Sequence, residues 1–110
     1  MQKFSTHDGN LWFERNKSKL SSIGQDAPSI VIETMLPKYI KKETLFLEIG
    51  CGNGARLSRL KNMLGGFFYG VDISTQAIED GLIKFKNLHL SVQSAQSLSF
   101  SDGKFDFVYL

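Results

Sequence analysis

From residue 45 to residue 110, short apolar runs alternate with amphipathic stretches. Leu45, Phe46, Leu47 and Ile49 surround a single carboxylate, Glu48. These five residues read as a strand. Leu57, Leu60 and Leu64 then recur at helical spacing with Arg56, Arg59 and Lys61 available for an outer face, which predicts a helix over residues 55–64 closed by Gly65-Gly66. Residues 67–71 are a second strand, and Asp72 follows directly. Ser74 is suited to cap the next helix, whose buried side should carry Ala77, Ile78 and Leu82, with Gly81 weakening its end. A third strand is expected over residues 88–92, a polar loop over 93–104 and a fourth strand over 105–110.

The first 44 residues are less regular. Residues 6–20 mix Leu11, Trp12 and Phe13 with Glu14, Arg15, Lys17 and Lys19, the pattern of a short amphipathic helix or an ordered arm. Asp26-Ala27-Pro28 is a helix start signal, because Asp accepts from free first-turn amides and Pro is tolerated there. That helix would carry Ile30, Val31, Thr34 and Met35 toward Ile40, with Pro37 stopping or kinking it near Leu36. Strands alternating with helices argue for an α/β fold with parallel strands and right-handed crossovers. At 110 residues there is room for one domain.

Composition narrows the class. With 42% hydrophobic residues and nine Phe the chain can form a core, which excludes a disordered segment. A net charge of +2, from dispersed basic residues, gives no reason to expect nucleic acid or an anionic membrane as partner. The single cysteine, Cys51, cannot form an internal disulfide, and no 18-residue apolar run or signal-like start is present. A soluble cytoplasmic protein is the expectation. His7 and His89 lack metal-ligand spacing, so no metal site is expected. Cys51 has no histidine near it in sequence and reads as a space-filling residue rather than a nucleophile.

The candidate chemistry lies in LFLEIGCGNGARL, residues 45–57. A strand feeding a helix through Gly50, Gly52 and Gly54 brings backbone amides to a helix N-terminus, where a carboxylate, phosphate or ribose oxygen can bind. Gly50, Gly52 and Ala55 also satisfy the dinucleotide spacing, and glycines after a strand can serve simply as a tight turn. Two acidic residues sharpen the choice. Asp72, 20 residues after Gly52 at the end of the second strand, can accept from both ribose hydroxyls, or cap the following turn. Glu48 precedes Gly50 by two residues, where a carboxylate suits a ligand carrying an ammonium or sulfonium charge.

These residues carry a family resemblance. Glu48-Ile49-Gly50-Cys51-Gly52-Asn53-Gly54 resembles the E/D-x-G-x-G-x-G signature of class I S-adenosylmethionine-dependent methyltransferases, and Gly70-Val71-Asp72-Ile73-Ser74 resembles their second motif. Residues 94–100 and 101–108 are similar to the D-A-E-x-L-P-F and F-D-x-V run of the small-molecule branch, typified by ubiquinone and menaquinone methyltransferases. The resemblance implies a Rossmann-like, mostly parallel sheet of order 3-2-1-4, truncated after the fourth strand of a seven-stranded family fold. Residues 1–26 would be an N-terminal arm or cap helix, and residues 27–110 the incomplete cofactor-binding part.

The resemblance also implies roles. Gly50 and Gly52 would pack under the methionine part of S-adenosylmethionine, with Glu48 orienting its amino group through water. Asp72 would hold the ribose diol and Ile73 the adenine face. Ala95 would offer a backbone N–H to adenine, and Ser94 stands where the family has an Asp that accepts from the exocyclic amine, leaving that recognition weaker or shifted to Gln96. Trp12, Phe13 and Arg15 would fold over the cofactor as a lid or simply pack on the sheet. No catalytic acid or base is assigned. The implied partner is a small-molecule acceptor, and the open edge of the fourth strand is an association surface. An isolated cofactor-binding half should transfer methyl groups weakly or not at all. Two other classes remain at this stage: a nicotinamide-dependent oxidoreductase, on Gly50, Gly52, Ala55 and Asp72, and a non-catalytic cofactor-binding module.

Overall fold

The computed structural model describes residues 5–20 and 43–110. The helix expected over residues 27–40 lies outside them. The described chain runs α1 (Thr6–Leu20), β1 (Leu45–Ile49), α2 (Ala55–Leu64), β2 (Phe67–Asp72), α3 (Thr75–Lys84), β3 (His89–Val92) and β4 (Phe107–Tyr109). All strand pairs are parallel and the sheet order is β3-β2-β1-β4. The expected order and helix α2 are found as read, and β3 and β4 are shorter than their apolar runs by one and three residues.

One face of the sheet builds the main core. Phe46 and Phe68, with ring centroids 5.2 Å apart, pack with Leu57 and Leu60 of α2, Ile78 of α3, and Leu88 and Leu90. Leu57, Phe68 and Val71 are fully buried. Ser74 caps α3 as its sequence position suggests, its hydroxyl accepting from Ala77 N at 3.1 Å. The apolar side of α3 differs from the reading: Leu82 is exposed and Gly81 takes the core-facing place. A Cβ on Gly81 would fall on the Asn53 carbonyl oxygen, so the absent side chain is what lets α3 lie against the glycine loop.

On the opposite face the 94–106 loop covers the sheet. Tyr69, Phe100 and Phe105 meet edge to face, at interplanar angles of 73 to 89°, and the Lys104 ammonium lies 4.7 Å from the Tyr69 centroid. Asp106 then ties β4 to β1: its carboxylate accepts from Leu45 N, and its own N–H donates to Leu45 O, each at 2.8 Å. The acid in the F-D pair is thus a sheet staple. Among the described residues β4 pairs only with β1, and Val108 and Leu110 are exposed.

Candidate functional site

The sheet presents its C-terminal strand ends to one cavity of about 290 Å³, lined by Ile49, Gly50, Asp72, Ile73, Gln93, Ser94, Ala95 and Gln96. In open α/β sheets ligands bind outside the carboxyl ends of the strands. Its size suits one nucleoside-sized group, at the low end of the roughly 300–1,000 Å³ typical of small-molecule sites. Five predicted site residues meet here: Gly50, Asp72, Ile73, Ser94 and Ala95. Glu48 and Gly52 do not line it.

The glycine loop forms because Gly50, Gly52 and Gly54 all have φ between 59 and 88°, a left-handed conformation costly to any residue with a Cβ. Beside Gly50 and Gly52 a Cβ would meet nothing within 4 Å, so both glycines leave open space above the turn. Five amides of the loop are engaged within the fold. Gly50 N and Cys51 N donate to Val71 O, Gly52 N to Asp72 Oδ2 at 2.9 Å, Gly54 N to Cys51 O, and Ala55 N to Asn53 Oδ1. The sequence suggested an anion cradle at this turn. Those five donors serve the fold, and the open space above Gly50 and Gly52 is what the loop offers a ligand.

Asp72 is held from two sides, since Ser74 N donates to its Oδ1 at 2.8 Å and Gly52 N to its Oδ2. Each carboxylate oxygen keeps a lone pair for a ligand hydroxyl. The capping and ligand-binding readings of Asp72 are therefore compatible. Ser94 closes a tight turn, accepting from Gln96 N through its hydroxyl and from Ser97 N through its carbonyl. Gln93, which the sequence reading passed over, spans Ser91 Oγ and Ser99 N with its side chain and fixes that turn at the cavity wall. Its signal was weak because a glutamine in a polar loop looks like any solvated residue.

Glu48 lies beneath the loop, 2% exposed, with Arg56 Nη1 at 3.5 Å from its carboxylate. The Arg56 guanidinium carbon is also 5.8 Å from the Tyr109 ring centroid. Burial raises the Glu48 carboxyl to about 7, against the lowering influence of Arg56. The folded state therefore holds this proton more tightly than the unfolded state, where the group titrates near 4.5. Its stabilising contribution is complete below pH 4.5 and is lost as pH rises through 7. Glu48→Gln should flatten this slope and gain up to about 3 kcal/mol at pH 8 relative to the wild type, measured by urea unfolding at pH 5 and pH 8.

The remaining candidates are structural. Cys51 is buried, its thiol pushed up by desolvation and by Glu48, so it is not a nucleophile. His89 stacks on Tyr69 at 4.5 Å. Among the described residues no cluster of three metal-ligating side chains occurs, and no helix is long and apolar enough to cross a membrane. In the arm, Phe13 is buried while Leu11 and Trp12 are nearly half exposed, and α1 packs on α3.

A parallel 3-2-1-4 sheet with a glycine loop after β1 and a carboxylate ending β2 defines a Rossmann-like nucleotide-site fold. Residues 46–110 match the methyltransferase domain family, and the chain belongs to it. Among solved structures it is similar to the PH0226 protein from Pyrococcus horikoshii, at 36% identity over 76% of this chain and 42% of that one, with a TM-score of 0.62. It is also similar to a SAM-dependent methyltransferase from Methanosarcina mazei, at 28% identity over 67% of this chain and 39% of that one, TM-score 0.62. A third is PKMT2 from Rickettsia typhi in complex with AdoHcy, at 33% identity over 61% of this chain and 14% of that one, TM-score 0.53. The chain spans less than half the length of each.

Proposed function

We propose that this chain carries the cofactor-binding part of an S-adenosylmethionine-dependent methyltransferase acting on a small molecule, in the branch typified by ubiquinone and menaquinone methyltransferases. Residues 27–110 form that part and residues 1–26 the arm. The observation that carries the reading is the meeting of a ribose-type carboxylate, Asp72, with the open space above Gly50 at one cavity. Gly50 and Gly52 leave room for close approach of the methionine part of such a cofactor. The match of residues 46–110 to the methyltransferase domain family weighs against the nicotinamide reading.

The cavity fits the adenosine end of this cofactor. Asp72 would accept from the ribose diol, Ile73 would cover one face of adenine, and the Ala95 N–H and the Ser94 hydroxyl would meet its edge. Glu48, which does not line the cavity, would act on the amino group through water or through the loop above it. When bound, S-adenosylmethionine supplies an electrophilic methyl group. The residues of this chain bind and orient, and positioning accounts for much of the rate in such displacements. The dispersed charge favours a small-molecule acceptor over nucleic acid. The outer edge of β4 offers a strand-pairing surface for association.

Thermal unfolding tests the ligand class. S-adenosylhomocysteine at 100 times its dissociation constant should add about 2.7 kcal/mol of stability, raising the melting temperature of a domain this small by about 10 °C or more. NAD should leave it unchanged. A rise with NAD alone would replace the methyltransferase reading by the oxidoreductase one.

A further inference from the structure

Helix α1 reaches the cofactor cavity indirectly, through one side chain. Asn10 Oδ1 accepts from Ser74 Oγ at 2.6 Å and from Gln76 N at 3.2 Å, and Asn10 Nδ2 donates to Thr75 Oγ1 at 3.2 Å. The amide orientation is dictated by these partners, because a flipped NH2 would face the Gln76 N–H. An asparagine more than 60 residues away in sequence thus caps the first turn of α3 in addition to its own Ser74. Next to it, Gly9 lets the α1 backbone lie flush on the loop: a Cβ there would sit 3.0 Å from Ile73 Cγ1 and 3.2 Å from Ser74 N. One turn further on, buried Phe13 anchors the helix.

These contacts feed into the ligand site. The Ser74 O–H is committed to Asn10, which turns its lone pairs toward Ala77 N and holds the residue in place. Ser74 N in turn donates to Asp72 Oδ1, and Gly52 N holds the other oxygen. A continuous hydrogen-bonded path therefore runs from Asn10 through Ser74 and Asp72 to the glycine loop. The segment between them, Ile73, lines the cavity and touches the surface that Gly9 leaves open.

We infer that Asn10 is a positioning residue for recognition of the ribose, fixing the Asp72 carboxylate through Ser74, so that docking of the N-terminal helix and binding of the adenosine end are coupled. The inference rests on the cofactor reading above. Its signature is selective: Asn10 should matter to a ligand that has the ribose diol and hardly at all to one that lacks it. A residue that merely supports the fold would weaken both alike.

The test is calorimetric titration of the wild-type chain, Asn10→Ala and Asn10→Asp with S-adenosylhomocysteine and with its 2′,3′-dideoxy analogue. Loss of one well-oriented hydrogen-bond support should weaken S-adenosylhomocysteine binding by about tenfold in Asn10→Ala. The dideoxy analogue should change by less than about twofold, since a coupling of this kind vanishes when one partner is removed. Asn10→Asp keeps the oxygen that accepts from Ser74 and Gln76, stands favourably at the N-terminus of α3, and should recover most of the loss. Equal weakening of both ligands in Asn10→Ala, or none, overturns the inference while leaving the cofactor reading in place. If Asn10→Ala fails to fold, Asn10→Asp decides, because binding near the wild-type level is expected and a tenfold loss contradicts the path. A wild-type chain that binds neither ligand, or does not distinguish them, removes the ribose assignment and the inference with it.

Discussion

Asp72→Ala is expected to weaken S-adenosylhomocysteine binding by about 100-fold or more. Hydrogen bonds to a charged acceptor contribute about 1.5–3 kcal/mol each, and the proposed ribose contact has two. The same substitution strips a partner from Gly52 N and Ser74 N, which now converge on the carboxylate. An unsatisfied buried N–H costs about 1–3 kcal/mol, so the glycine loop should loosen and the chain should also lose stability. Asp72→Asn separates the two effects. Its remaining oxygen can serve one amide, whereas its NH2 group cannot accept from a hydroxyl. Calorimetry on both variants should show weak binding in each, with a smaller loss of stability in Asp72→Asn, where one of the two amides keeps its acceptor. Wild-type affinity in Asp72→Ala would remove the ribose assignment.

The second large effect is opposite in sign to what helix propensity suggests. Gly81 lies inside α3, where alanine usually gains about 1 kcal/mol. Gly81→Ala is nevertheless expected to destabilise the chain by about 3 kcal/mol, because the new methyl group would collide with the Asn53 carbonyl. That oxygen is backbone and cannot rotate away. Asn53 is further pinned by its side chain, which donates to Asp80 and accepts from Ala55 N. Relief of the collision must move α3 or the glycine loop itself. A lower urea midpoint and weaker S-adenosylhomocysteine binding are expected together. A gain in stability would mean that α3 does not rest on the loop as described.

The same position shows where sequence reasoning reached its limit. Periodicity located the strands and α2 because burial on a pleated or helical surface repeats with a fixed period, and Leu57 and Leu60 obey it. It failed at Leu82, where the closest packing is made by a residue with no side chain. Hydrophobicity patterns register what a side chain fills, and Gly81 works by leaving space. Gly9 escaped notice for the same reason, and Asn10 because its partners are 64 to 66 residues away.

Of the residues lining the cavity, Gly50 and Asp72 were legible from their spacing on a strand-loop-helix frame, and Ile73, Ser94 and Ala95 only through the family resemblance. What spacing could not reveal was how the loop's own hydrogen bonds are distributed. A glycine turn with free amides and one with engaged amides have the same sequence signature. Here five of them are taken up by the fold.

The central claim is that the cavity between Gly50 and Ala95 binds the adenosine end of S-adenosylmethionine. Amide chemical-shift mapping of the 110-residue chain, titrated with S-adenosylhomocysteine, tests it most directly. The largest shifts should fall on Gly50, Asp72, Ile73, Ala95 and Gln96, with those of Lys61, Lys84 and Lys86 at the far end of the helices unmoved. Saturable shifts confined to that far end, or shifts at Gly50 and Asp72 only with NAD, would contradict it.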